Sequence, residues 1–404
     1  MTEESKSIPI ATGVINGGVS DVEAGFDIQP DFEGFHQKND VFRRSWWDES
    51  IKTGKHALFY ETYREPLKTF RKADGFTQRD YAFRNAAWHV SNVMSDIQTN
   101  EDRWEGFTDP YSLYQGIAAQ KQEPESPAAG SAEIKTVSKA FGADLVGIAA
   151  LDPRWIYKSK FSDKSLTERT NEIPEGMTSV IVTAQAMDYD LIRTVPSALS
   201  GAATGLGYSY DAMVVLSIAQ YIRNLGYNAV ASLNDTALAI PMAVQAGLGE
   251  YGKNGLLITE EFGPRLRLGK IFTDMPLAHD RPKQFGVKEF CNQCNQCVKG
   301  CPAKAIRGGE PSAERFNMSN IKGIVKWSVD GVKCFNYWAA QNSDCSICIR
   351  TCPYNKDYSK WYHRIGVKLA GTRLRGLMLW LDQKMGYGER MKPKLWWQNR
   401  GDPA

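Results

Sequence analysis

The stretch CNQCNQCVKGCP, residues 291–302, decides how this chain is read. It sets two residues between Cys291, Cys294 and Cys297, then a three-residue gap before Cys301 and Pro302. A second run, Cys334-x10-Cys345-x2-Cys348-x3-Cys352-Pro353, repeats the pattern with its first gap stretched. The chain has eight cysteines, and the two runs use all of them. Short gaps let a tight turn wrap thiolates around three corners of an iron–sulfur cubane. The longer gap carries the chain away, and proline prevents it from folding back. Structural zinc sites use two CxxC pairs rather than a doubled run of this kind. Disulfides need no such spacing.

The first run matches the bacterial ferredoxin pattern, in which the fourth cysteine serves the other cluster. Crossed ligation is therefore expected. Cluster A takes Cys291, Cys294, Cys297 and Cys352; cluster B takes Cys301, Cys334, Cys345 and Cys348. Two [4Fe–4S] clusters held this way form a two-step electron wire. A wire needs a terminus, so the rest of the chain must supply a redox-active site.

The bulk numbers leave room for one. The chain has 404 residues, enough for two or three domains. Its 42% hydrophobic and 24% charged content is ordinary for a globular protein. A net charge of +3 is too small to argue for a nucleic-acid or membrane-surface protein. The longest apolar run, Leu377-Met378-Leu379-Trp380-Leu381, falls far short of the roughly 20 residues that span a bilayer. The start, MTEESKSIPIATGV, has neither a charged n-region nor a twin-arginine motif. The expectation is a cytoplasmic protein, or one whose targeting segment has been removed. Tryptophan is uneven: Trp46, Trp47, Trp88, Trp104 and Trp155 lie on one side, and Trp327, Trp338, Trp361, Trp380, Trp396 and Trp397 on the other. Either both flanks pack large aromatics, which is the favoured reading, or both wall an apolar pocket.

Residues 1–130 look irregular, with helical stretches near 40–52 and 76–97. The Pro/Gly/Ser/Ala-rich segment EPESPAAGSAE, residues 123–133, reads as a linker. From about 131 the pattern becomes α/β. A short helix is expected over 133–141, strands over 144–151, 179–186 and 267–273, and a helix over 211–224 stopping at Gly226. A basic helical tail is expected from about 362 to 385.

Common cofactor motifs are missing. No GxGxxG follows a strand, there is no P-loop, and there is no Asp-x-His-x-x-Gly of the kind that gives cobalt a histidine. The five histidines, His36, His56, His89, His279 and His363, are scattered. At this point the chain resembles a family. The segments GADLVGIAAL (142–151), GYNAVASLND (226–235) and AGLGEYGKNGLLITEEFGPRLRLGKIFTDMPL (246–277), with both cysteine runs, are similar to the catalytic subunit of corrinoid-dependent reductive dehalogenases. The closing GYGERMKPKLWW (386–397) suits that family too.

The resemblance implies an α+β fold: a nitroreductase-like α/β core around a base-off corrinoid (cobalamin), joined to a ferredoxin-like two-cluster module. The implied layout is a 1–130 region flanking corrinoid and substrate, a 131–285 corrinoid-binding core, a 286–360 iron–sulfur module and a 361–404 helical tail. It implies a small organohalide substrate and no nucleic acid. It also implies an electron donor (ferredoxin, flavodoxin or a membrane quinol system), and allows a small membrane-anchor subunit and a homodimer. Family members are usually exported and membrane-associated, which this chain's start does not show.

Three positions match the family's active site. Tyr208, in GLGYSYDAM (205–213), stands where the family has a proton-donating tyrosine. Arg267, in FGPRLRLGK (262–270), stands for the neighbouring Lys or Arg, and Asn234, in ASLND (231–235), for a supporting amide. The chemistry suits these residue types. Reducing a carbon–halogen bond takes two electrons and one proton and expels a halide. A phenol, with a reference pKa of about 10, keeps its proton at neutral pH. A nearby guanidinium eases proton loss and stays charged for the halide. Thr204, Trp88 and Trp338 match pocket-lining positions. Two rival readings stand: an epoxyqueuosine-reductase-like enzyme acting on tRNA, and a non-catalytic electron-transfer ferredoxin.

Overall fold

The computed structural model describes residues 19–64, 70–98, 108–109, 116–162, 165–171 and 173–399. Trp104 and both chain ends therefore lie outside the described residues. The centre is a five-stranded sheet of β1 (Thr108–Asp109), β2 (Leu145–Ala150), β3 (Ser179–Ala186), β4 (Ala229–Ser232) and β5 (Leu266–Thr273), ordered β1-β4-β5-β3-β2. Every neighbouring pair is antiparallel. Alternation along the strands sends side chains to two cores. Ile181 and Ile271 face one, with Ile134, Val215 and Ile218. Val180, Val182 and Phe272 face the other, with Trp155 and Val244. Both faces are covered, and all of β3 but its last residue is buried.

The helices that matter here are α1 (Val41–Trp47), α2 (Gly54–Arg64), α3 (Gln78–Gln98), α4 (Pro127–Ala140), α5 (Ala198–Asn224), α6 (Gly331–Gln341), α7 (Trp361–Ala370) and α8 (Arg375–Lys384). Helix α5 lies between the sheet and α3. It is apolar nearly all round, as a fully buried helix must be. Each of its Val and Ile side chains, removed from water, contributes on the order of 1.5–3 kcal/mol. Its first half is packed through glycines. A Cβ on Gly205 would sit 2.6 Å from the Trp88 ring, so only glycine lets α3 approach this closely.

Several sequence expectations shift. The segment 123–133 is not a linker throughout: Ser126 caps α4 by accepting from Ala129 N, and Pro127 is its first residue. The helix expected over 211–224 begins at Ala198, so Tyr208 sits mid-helix rather than at its start. The stretch 40–52 ends as helix at Trp47, and α2, which periodicity did not show, follows. The tail is two helices broken between Ala370 and Arg375, not one.

The N-terminal helices are tied to the iron–sulfur module. Phe42, Phe59 and Tyr60 pack on Phe335 and Trp338 of α6. Arg84, fully buried, donates to Thr62 O at 2.6 Å and Asn342 O at 3.0 Å. Its guanidinium also lies 3.8 Å from the Tyr63 ring centre. One cation thus joins α3 to α2 and to the end of α6.

Candidate active site

Tyr208 is 3% exposed and stands in the third turn of α5, facing β5. Two donors meet on its phenol oxygen. Arg267 Nη1 of β5 donates at 3.2 Å. Asn234 Nδ2, just past the end of β4, donates to the same atom. Helix, central strand and loop thereby converge on one oxygen. Both donors stabilise a phenolate more than a phenol, so they lower the cost of releasing the proton. Trp88 of α3 stacks on the other side of the ring, with centroids 4.7 Å apart and planes at 28°.

Arg267 reaches Tyr208 because residue 207 has no side chain. A Cβ on Gly207 would lie 2.6 Å from Arg267 Cγ. The guanidinium therefore lies along the helix, with Cζ 5.0 Å from the Tyr208 ring centre.

Beneath this group are two buried charges that the sequence did not single out. Lys270, fully buried on β5, donates to the carbonyl of Leu233 and so fixes the residue before Asn234. Burial pushes its ammonium down to about 8. Asp211, one turn after Tyr208, accepts from Thr183 Oγ1 at 3.2 Å. Burial pushes its carboxyl up to about 7, against the pull of Lys270 and Arg267. Tyr157 adds a third tie, with its hydroxyl 3.5 Å from the Asn234 carbonyl. Burial first, then Asp40, raises the Tyr157 phenol well above the ordinary range, so it remains a neutral donor.

Tyr208, Arg267, Asn234, Thr204, Trp88 and Trp338 all line one cavity of about 850 Å³. That is near the upper end for small-molecule sites, which run to roughly 1,000 Å³. Trp46, Trp155 and Trp327 also line it, so the pocket-wall reading of the tryptophans holds for five of them. Trp396 and Trp397 instead pack on Phe83, and Trp361 and Trp380 face outward. Among the described residues no histidine lines the cavity. The buried indole N–H of Trp88 has no hydrogen-bond partner within the protein. A large, aromatic-walled cavity with an unmatched indole donor fits a bulky, largely apolar cofactor.

The cysteines form two groups. Cys352 has Cys291, Cys294 and Cys297 as its thiol neighbours. Cys334 and Cys345 both neighbour Cys301, and Cys348 faces all three. The structure therefore brings Cys301 and Cys352 each to the other run. Cys348 also neighbours Cys297, so the two groups adjoin. All eight thiols are free. Among the described residues no three metal-binding side chains close on a single ion. Two open quartets of thiols fit polynuclear clusters rather than mononuclear metal. Burial pushes Cys291, Cys297, Cys334 and Cys345 up to about 12, so these thiolates need cationic iron to persist. The Lys253 backbone N–H bonds Cys291, and its ammonium, buried and donating to Asn295 Oδ1 at 3.1 Å, adds a compensating charge. Trp338 links the quartet to the cavity: it lines the cavity while its indole N–H lies beside Cys334.

Comparison with known proteins gives this geometry a context. A reductive dehalogenase subunit family matches residues 165–277, and a 4Fe-4S double cluster binding domain matches residues 290–355. The tetrachloroethene reductive dehalogenase of Sulfurospirillum multivorans is 33% identical over 342 residues, covering 76% of this chain and 68% of that protein. That of Desulfitobacterium hafniense is 37% identical over 313 residues, covering 68% and 57%. A solved reductive dehalogenase, described for B12-dependent dehalogenation, superposes with a TM-score of 0.71 at 23% identity. It covers 92% of this chain and 49% of that one. The chain thus spans little more than half the length of several relatives it matches. Among its described residues, no helix is long and apolar enough to cross a membrane. The double-cluster match lies across both cysteine runs and the dehalogenase match spans Tyr208, Asn234 and Arg267; with a third of positions shared across two thirds of a curated relative, the chain belongs to the reductive dehalogenase family.

Proposed function

We propose that this chain reductively removes halide from a small organohalide, with Tyr208 as the proton donor. The balance is R–X + 2e⁻ + H⁺ → R–H + X⁻. The observation that carries the reading is the convergence of Arg267 and Asn234 on the Tyr208 oxygen, inside a cavity whose wall includes Trp338, the neighbour of Cys334. Cys291, Cys294, Cys297 and Cys352 hold one [4Fe–4S] cluster, and Cys301, Cys334, Cys345 and Cys348 the other. Leu238, Ile240, Leu257, Trp155 and Trp327 give a corrinoid its apolar walls. When bound, a corrinoid would supply a reducible cobalt as the source of the two electrons the balance requires.

The chain's own residues do the rest. Tyr208 gives its proton to the carbon as the halogen leaves. Arg267 and Asn234 then stabilise the phenolate, and Arg267 also offers positive charge to the departing halide. Trp88 holds the phenol ring in one plane, while Thr204, a turn earlier on α5, and Trp338 bound the pocket. The aromatic lining excludes water, which strengthens each of these interactions. The relatives' chloroethene substrates favour a small, apolar halide compound here. The reductant is a ferredoxin, a flavodoxin or a membrane quinol system; a membrane-anchor subunit and a homodimer both accord with the family.

The test is anaerobic loading with cobalamin and iron–sulfur clusters, then halide release measured across a panel of haloalkenes and halophenols. Turnover of one panel member is expected. Failure across the panel, together with tight binding of a tRNA anticodon stem-loop, would overturn the reading in favour of the tRNA-modifying alternative.

A further inference from the structure

Helices α7 and α8 form a hairpin with two apolar faces. Inwardly, Val367, Ala370, Met378 and Leu379 pack in the cluster of residues that contains Cys291 and Cys294. Outwardly, Trp361, Ile365, Leu377, Trp380 and Met385 are open to solvent, with Trp361 71% and Met385 65% exposed. On α8 the outward residues Leu374, Leu377, Leu381 and Met385 fall three and four apart, which is one continuous stripe. Single exposed apolar residues are ordinary, but a stripe of this size together with exposed Trp361 and Trp380 marks a contact surface.

The charge around the stripe says what it contacts. Between residues 360 and 385 lie six cations, Lys360, Arg364, Lys368, Arg373, Arg375 and Lys384, against a single acid. That acid, Asp382, is buried in an ion pair with Lys356. The hairpin alone is more positive than the whole chain's +3, so the remainder is net negative. A second hairpin of the same charge or an uncharged apolar groove would gain nothing from these cations. Anionic headgroups would, while Trp and Leu enter the acyl boundary. Ten-residue helices are far too short to span, so they lie in the plane of the surface.

We infer that the outer face of the α7–α8 hairpin docks this protein on an anionic lipid surface, independently of any anchor subunit. Docking would set the Cys291–Cys294 end of the iron–sulfur module against the membrane, where a lipid-soluble reductant is found. This goes beyond the proposed dehalogenation and does not depend on it.

The test uses the full, cluster-loaded chain and unilamellar vesicles, read by co-sedimentation. Vesicles rich in phosphatidylglycerol should retain the protein, and pure phosphatidylcholine vesicles should not. Raising salt from about 0.05 to 0.5 M should weaken retention about tenfold. The triple change Trp361→Gln, Leu377→Gln, Trp380→Gln touches only exposed positions and should lower partitioning at least about tenfold with unchanged cluster absorbance. A charge variant, Arg364→Gln, Lys368→Gln, Lys384→Gln, should do the same through the electrostatic part. Absence of binding, equal binding to both lipids, or undiminished binding of the variants would overturn the inference. So would a dimer in sedimentation velocity that the triple change dissolves, since that assigns the face to a second copy.

Discussion

At the residue scale, the proposed chemistry centres on one oxygen atom with two N–H donors aimed at it. Removing either donor leaves the phenolate less stabilised when the proton departs. Arg267→Gln should lower kcat by on the order of 10²-fold, as loss of one preorganised donor does elsewhere, with little change in KM. Steady-state halide release checks this; an unchanged kcat would deny Arg267 its role. The cysteines were legible in the sequence because cluster ligation is written in local spacing. Tyr208, Asn234 and Arg267 were legible only through family motifs, since they come from three separate segments that meet through the fold. Lys270, Asp211, Tyr157 and Lys253 were missed for the same reason. Nothing beside Lys270 in the chain reveals that its ammonium will hold the Leu233 carbonyl.

At the scale of elements, α5 shows where sequence patterning gives out. Its second half announces itself by helical spacing. Its first half, ALSGAATGLG, has three glycines, each costing about 1 kcal/mol in a helix interior. Close packing against Trp88 and Arg267 offsets that cost, and no local signal records it. Gly207→Ala should therefore fold yet displace the guanidinium, cutting turnover on the order of a hundredfold, as small misplacements of catalytic groups do. A crystal structure of the variant with Arg267 unmoved, or activity at the wild-type level, would refute it. The buried carboxyl of Asp211 makes a second prediction for this helix. Its pKa is raised from the ordinary carboxylate value to about 7, so the folded state holds a proton that the unfolded state has released. Stability from this group is full below about pH 4, falls as pH rises, and is lost above pH 7. Its charged surroundings are Lys270 and Arg267, with Thr183 as hydrogen-bond donor. Asp211→Asn should flatten the pH dependence of unfolding free energy across that window. Parallel curves for the two proteins would contradict it.

At the scale of the molecule, the chain reads as a route from a surface hairpin to the aromatic-walled cavity. Helices α7 and α8 cover the Cys291 end, the crossed quartets adjoin through Cys297 and Cys348, and Trp338 borders both Cys334 and the cavity. The α/β core was visible early from strand and helix patterning and the two-cluster module from cysteine spacing, while the α+β class came only with the family resemblance. The enclosing of the cavity by α1, α2 and α6 was not, because aromatic packing between residues some 280 apart, such as His56 on Phe335, has no local signature. Crossed ligation makes a whole-molecule prediction. Cys352→Ala, though it lies in the second run, should remove the cluster of the first. Iron should fall by about half, and one of two reduced-cluster signals in electron paramagnetic resonance should vanish. Loss of the second run's cluster alone would disprove the crossing.

The most direct test of the whole account compares wild type with Tyr208→Phe, both loaded anaerobically with cobalamin and clusters and matched for cobalt and iron. With a turned-over organohalide in deuterated water, wild type should release halide and place one deuterium on the product carbon. The Phe variant should keep its cofactors and lose turnover. Halide release by Tyr208→Phe at the wild-type rate would contradict the claim that this phenol supplies the proton.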